Sequence, residues 1–381
     1  MRQAPDLKPA KRILVETPDL SVSGEERARM TLACRDTDYL PRVKDAGKTR
    51  TVDGTQVQVM HNGLYVAKGA YQGDWQAKVI EGLKGNHEPQ EEKVFNEVLK
   101  RVRPGSVMME LGCWWCYYSM WFLRSVKDGK AVCCEPDPDN LVTGRRNMQL
   151  NGFTEPEDFV FYEAAAGRED RKTISFTTES GRDVRVPIRT VDSLLKEREI
   201  DQLAILHMDI QGAELGALKG ARKSLGGGKI RFLFVSTHHY LISGDPLIHQ
   251  KCLQFILENG GHIVAEHTIA ESCSGDGLIV ASFTKEDEDF TVETSLQHSD
   301  DSLFRQPEKD VGLLWDNHDR LLDHGGRLQK DKEKLQGDLA EEKKTTDERR
   351  QELQWINRHP FKFLLGNLYH VHIRRDRSRS G

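Results

Sequence analysis

With 381 residues, 37% hydrophobic and 30% charged, and a formal net charge of −5, the chain excludes several function classes at once. No uncharged run approaches the ~18 residues of a transmembrane segment, and no global basic field invites nucleic acid. Seven cysteines scattered from 34 to 273 do not form a secreted disulfide framework, and MRQAPDLKPAKRILVETPD lacks an apolar signal core, so a cytoplasmic setting is expected.

In chain order, the polar, weakly periodic residues 1–50 read as a loosely ordered lead-in. Residues 51–87 read as a small β cap, because apolar and polar residues alternate around the hairpin signal His61-Asn62-Gly63. HEPQEEKVFNEVLKRV then predicts an amphipathic helix: Pro89 and two glutamates stand at its start, and Val94, Phe95, Val98, Leu99 and Val102 share one face. Across the domain expected at 88–284, near-continuous apolar runs fall at 106–111, 130–136, 159–165, 204–210, 231–237, 262–268 and 277–283. Helical patterns at 138–151, 213–225 and 246–258 separate the earlier ones, which predicts an α/β fold with a doubly wound parallel sheet. The last two runs are joined only by AESCSGD, too short for a crossover helix, so they pair antiparallel.

Past the domain, 285–310 reads as an acidic linker, and 311–357 as a helical segment with leucines at 314, 321, 328 and 335. That spacing points to a coiled coil and a homo-oligomer; Gly325-Gly326 points to an interrupted helix, and both readings stay open. The basic, apolar tail 358–381 is too short to span a bilayer but suits peripheral membrane contact; packing on the chain's own core is the alternative.

Ligands of open α/β sheets sit beyond the carboxyl ends of the strands, where Glu110-Leu111-Gly112 closes the first strand of the domain. Glu135 closes the second, 23 residues past Gly112, near the ~20 expected of a carboxylate on a nucleoside ribose. A dinucleotide loop would need further glycines, whereas bulky Trp114, Trp115, Tyr117 and Tyr118 follow here. S-adenosylmethionine has no phosphate and needs only a turn, an acid and an apolar slot, which Gly112, Glu110, Glu135 and the strand end at Ala164 can supply. Cys113 and Cys116 form a C-x-x-C, but Cys133 and Cys134 point to opposite faces of a strand and cannot easily share an ion. Small buried hydrophobes is the preferred reading of these cysteines.

These residues resemble the FkbM-type methyltransferases, class I enzymes with a Rossmann-like fold. The resemblance rests on ELG at 110–112, EPDPDNL at 135–141, VPIRTVDSLL at 186–195 and LHMDIQGAELGALKGA at 206–221, and spans about 88–283. It implies S-adenosylmethionine as cofactor and, as acceptor, a hydroxyl of a sugar, a glycan or a glycosylated small molecule. Transfer to a hydroxyl needs a base or a metal. Asp209 ends the fourth strand, where it could serve both cofactor and catalysis, and His238 and His239 end the fifth. Related metal-dependent sugar O-methyltransferases carry acids where this histidine pair stands. A histidine pair argues against magnesium, so a metal-free histidine base is favoured over a softer divalent metal. Because neighbours alternate sides, one histidine of the two should face the substrate. Glu214 reads as a first-turn acid answering a helix dipole. The rivals are N-methylation on the same fold, and a non-catalytic scaffold working through its C-terminal helix.

Overall fold

The computed structural model describes residues 24–178, 181–297 and 305–362, with backbone alone for 305–324. The described residues fall into two compact units, 24–297 and 305–362.

The first unit begins with α1 (Gly24–Ala33) and a three-stranded antiparallel sheet of β1 (Thr49–Val52), β2 (Thr55–Val59) and β3 (Tyr65–Ala67). The turn expected at His61-Asn62-Gly63 joins β2 to β3, with Gly63 at φ 82°. Helices α2 (Gly73–Gly82) and α3 (Pro89–Leu99) lead into the main sheet. There the chain runs β4 (Val107–Leu111), α4 (Tyr117–Ser125), β5 (Lys130–Cys134), α5 (Pro138–Leu150) and β6 (Phe159–Tyr162). A small sheet of β7 (Ala165–Ala166), β8 (Arg171–Thr177) and β9 (Asp183–Arg189) comes next, followed by α6 (Val191–Glu197) and β10 (Leu203–Met208). The rest is α7 (Glu214–Gly220), α8 (Arg222–Gly226), β11 (Ile230–Thr237), α9 (Tyr240–Ser243), α10 (Ile248–Glu258), β12 (His262–His267) and β13 (Gly277–Ser282).

The main sheet has seven strands in the order β12-β13-β11-β10-β4-β5-β6. β13 runs antiparallel to both neighbours, and the other described pairings are parallel. The expected doubly wound fold with its antiparallel last strand is therefore present. Strand order reverses between β4 and β10, which opens the crevice where ligands bind in such sheets. Every residue of β10 and β11 is buried, because helices cover both faces. Alternation splits the core in two: Met108, Phe122, Phe232 and Phe234 lie on one side, and Met109, Leu206, Leu233 and Ile256 on the other.

Three segments depart from expectation. Within the presumed lead-in, Gly24–Ala33 is helical and Cys34, Thr37 and Leu40 are buried; scattered apolar residues pack here without a visible period. The hairpin β8–β9 escaped the sequence because RKTISFT exposes most of its residues and buries none fully. Residues 285–297 are strapped to the core rather than free. Arg231 donates to both carboxylate oxygens of buried Asp287 (2.9 and 3.0 Å), and Val292 N donates to Val264 O (2.8 Å).

The described part of the second unit is α11 (Arg305–Arg358), which runs through Gly325-Gly326 without a break. Each glycine costs ~1 kcal/mol in a helix, which the Leu-, Lys-, Glu- and Gln-rich turns around it offset. Leu328 and Leu335 are exposed along it. Most of the tail, 363–381, lies outside the described residues. No helix among the described residues is long and apolar enough to cross a membrane.

Candidate functional site

At the carboxyl ends of β4, β5 and β10 lies a cavity of about 460 Å³, whose wall includes Glu110, Gly112, Glu135, Ala164 and Asp209. Gly112 is required there. Its φ is +74°, and a Cβ would stand 1.9 Å from the Asp209 carbonyl oxygen, so the loop after β4 and the end of β10 close on each other only without a side chain. Trp114 (φ 34°) and Cys116 (φ 61°) are also left-handed, and they fold the loop into a tight turn before α4.

The two glutamates are tied to that turn. Glu110 Oε2 accepts from Ser119 N (3.0 Å) and from the Ser119 hydroxyl, satisfying an orphan amide in the first turn of α4. Glu135 Oε2 accepts from Trp114 N (3.1 Å) and Oε1 from Asp137 N (2.9 Å). Burial pushes Glu110 up to about 8 and Glu135 up to about 7, against these hydrogen bonds. Ala164, Ala165 and Ala166 keep the far end open and apolar, and β8 contributes Ile174 and Phe176 to its wall.

The other end is ionic. A polar slot of about 50 Å³ shares Tyr71, His87, Glu88, Asp209 and Gln211 with the cavity and adds His238, Asp276 and Arg27. Tyr71 separates the two spaces, stacked on Trp115 with centroids 4.5 Å apart and rings 3° from parallel. His87 Nδ1 bonds Glu92 (2.7 Å) and its Nε2 bonds Glu88 (3.2 Å). Burial opposes a charge on His87, but the two carboxylates outweigh it and raise the ring to about 10. Burial would likewise raise Glu88, but the imidazolium beside it pulls the carboxyl down to about 2.

His238 is clamped as tightly: Nδ1 bonds Glu214 Oε1 (2.9 Å) and Nε2 faces Asp209 Oδ1 (3.0 Å), with Asp276 Oδ1 at 3.8 Å. Burial works against the imidazolium, yet Asp276, Asp209 and Glu214 together hold it well above the usual histidine range. A carboxylate faces each ring nitrogen, and Gln211 Nε2 lies 3.0 Å from the ring's Nε2, so both nitrogens are already engaged within the protein. Held this way, His238 is better placed to hold its carboxylate neighbours than to act as the expected base. Asp276 shares the slot: burial pushes its carboxyl up to about 6, while the His238 charge pulls against that rise.

His239 lies outside both spaces, half-buried at the start of α9, where its Nδ1 accepts from Leu241 N (3.4 Å). Glu214 begins α7 as expected and accepts from Gly212 N (2.9 Å), but it is fully buried and the same oxygen holds His238. Asp276 and Arg27 were missed by the sequence reading, and a signal existed for Asp276. An antiparallel strand starts where its parallel neighbours end, so the residue just before β13 stands at the functional edge.

A family model described as the methyltransferase FkbM domain matches residues 59–263. Similar solved structures include TrmK of M. capricolum with S-adenosyl-homocysteine, 13% identical, TM-score 0.33, covering 52% of this chain and 74% of that one. The O-methyltransferase of Bacillus cereus in complex with SAH is 12% identical, TM-score 0.34, over 52% and 82%. Ribosomal protein L11 methylase of Lactobacillus delbrueckii subsp. bulgaricus is 13% identical, TM-score 0.32, over 52% and 79%. No curated protein matches the chain.

Proposed function

We infer the reaction from one premise: this chain belongs to the FkbM methyltransferase family, whose members draw the methyl group from S-adenosylmethionine. Bound there, the cofactor supplies a sulfonium methyl that passes in line to the acceptor. The cavity suits it in size, since cofactor pockets run to ~300–1,000 Å³, and in chemistry. Glu135 would take the ribose hydroxyls, Glu110 the methionine ammonium, and the alanines with Phe176 the adenine.

The acceptor is a hydroxyl of a sugar, a glycan or a glycosylated small molecule, entering the slot beyond Tyr71. The observation that carries this reading is the placing of Asp276, a half-buried carboxylate, with Asp209 in a slot that adjoins the cofactor cavity. As the acceptor oxygen gains the methyl group, its proton passes to the Asp276 carboxylate. His238 is a positioning residue that keeps Asp209 and Asp276 in place, and the faces of Tyr71 and Trp75 suit the C–H side of a sugar ring. N-methylation is the second reading, favoured by the three carboxylates of Glu88, Asp209 and Asp276, which would also receive an amine.

The test is methyl-labelled cofactor with glycan fragments that carry both hydroxyl and amino groups, followed by linkage analysis of the product. A methyl ether supports the reading, and label confined to nitrogen overturns it.

A further inference from the structure

We propose that Cys113, Cys116 and Cys133 form a binding site for a single thiophilic d¹⁰ cation, Zn²⁺ or Cu⁺, buried beneath the cofactor loop. The three sulfurs come from separate places: the loop after β4, the start of α4, and the next-to-last residue of β5. They nevertheless lie within 4.8 Å of one another, the only such group of potential ligands among the described residues. All three side chains are buried.

The backbone is shaped to bring them together. Cys116 N donates to Cys113 O (2.5 Å), closing the C-x-x-C into a turn, and Cys116 takes a left-handed conformation that L side chains avoid. Cys133 and Cys134 do face opposite sides of β5: Cys133 belongs to the aromatic half of the core, and Cys134 donates to Ala164 O (3.1 Å) on the other. The objection that both cannot reach one ion therefore stands, but only Cys133 is needed.

The chemistry fits a soft cation. Sulfur-only donors select Cu⁺ and Zn²⁺ over Mg²⁺ and Ca²⁺. Zn–S bonds of ~2.3 Å in a tetrahedron place sulfurs ~3.8 Å apart, a small contraction that side-chain rotation can supply. Cu⁺ needs only the three sulfurs, and Zn²⁺ would take its fourth ligand from the cavity side, where Cys113 forms part of the wall. Cys113 is part of the cavity wall, which gives the ion a path in. On binding, thiol protons leave to solvent and no electron is transferred.

The full chain, kept reduced and stripped of metal, is offered Zn²⁺, Cu⁺ in a competing chelator, or Mg²⁺, then gel-filtered and assayed for bound metal. The expected result is a single equivalent of Zn²⁺ or Cu⁺, none of Mg²⁺, and a rise in Tm. The Zn²⁺ and Cu⁺ arms show which cation the geometry prefers. Co²⁺ should produce a near-ultraviolet thiolate charge-transfer band. Cys133→Ala should lose the equivalent and the band while still binding S-adenosylhomocysteine by calorimetry; Cys116→Ala serves if that variant does not fold. An absence of bound Zn²⁺ and Cu⁺ in the wild-type chain, or an equivalent that survives in the folded alanine variant, overturns the assignment.

Discussion

The two ends of the cavity use carboxylates in opposite ways. At the end assigned to the cofactor, Glu110 and Glu135 accept from backbone amides and hydroxyls and sit near neutrality, up to about 8 and about 7. At the end assigned to the acceptor, Glu88 and Asp209 face imidazolium rings, and a histidine charge lies between Asp209 and Glu214. The first end is drawn from the span 110–176, the second from residues between 27 and 276. One is built to bind and the other to hold charge, so a change at the first should alter affinity and a change at the second should alter turnover.

The sharpest way to break that division is Asp276→Asn. Turnover should fall ~10²–10⁴-fold, the range for a general base, with cofactor affinity little changed. In the wild type the rate should rise with pH through about 6, because the base works only after losing its proton. Retention of that acid limb in the asparagine variant would remove Asp276 from the role.

Gly112→Ala tests the seam between the two ends. A Cβ 1.9 Å from the Asp209 carbonyl forces β4 and β10 apart at a left-handed residue. Overpacking and backbone strain together should cost about 3 kcal/mol, read by urea unfolding. A variant as stable as the wild type would mean that the loop moves freely.

At the cofactor end, Glu135→Ala should weaken S-adenosylmethionine binding by about 1.5–3 kcal/mol and leave turnover at saturation nearly intact. Undiminished affinity in a folded variant would refute the ribose assignment. The same site should couple binding to protons. The cofactor's hydroxyls and ammonium prefer ionised carboxylates, while burial keeps Glu110 and Glu135 partly protonated at neutral pH. Affinity should therefore rise from pH 6 to 8, with proton release visible by calorimetry in two buffers, and a flat profile would contradict the shifts.

The smallest effect belongs to His239→Ala. It removes a hydrogen bond at the start of α9, worth ~0.5–1.5 kcal/mol, and should leave kcat within a few-fold of wild type. A loss as deep as that of Asp276→Asn would move the catalytic end toward α9.

Much of the fold was legible because its strands are buried on both faces and read as continuous apolar runs; β10 and β11 are examples. The hairpin β8–β9 was not, since it has one sparsely buried side and many charges. Gly112 and Glu135 stood out because a lone glycine after a strand and an acid ending the next strand are local signals. Asp276 looked like one polar residue in a short loop, and Glu88 read as easily as a helix start as an edge of the acceptor entrance.

By itself, the sequence determined where strands and helices lie, that the last strand turns back, and which strand ends carry polar groups. These follow from periodicity, loop length and glycine's freedom at positive φ. Only the tertiary structure decided which of those groups meet and what charge they carry. His238 ends β11 in any reading, but its hold on a proton depends on Asp209 from β10, Glu214 from α7 and Asp276 from before β13 converging within 4 Å of its ring. A proton's affinity is set by burial and by neighbours through space, and neither is written in the local order of residues.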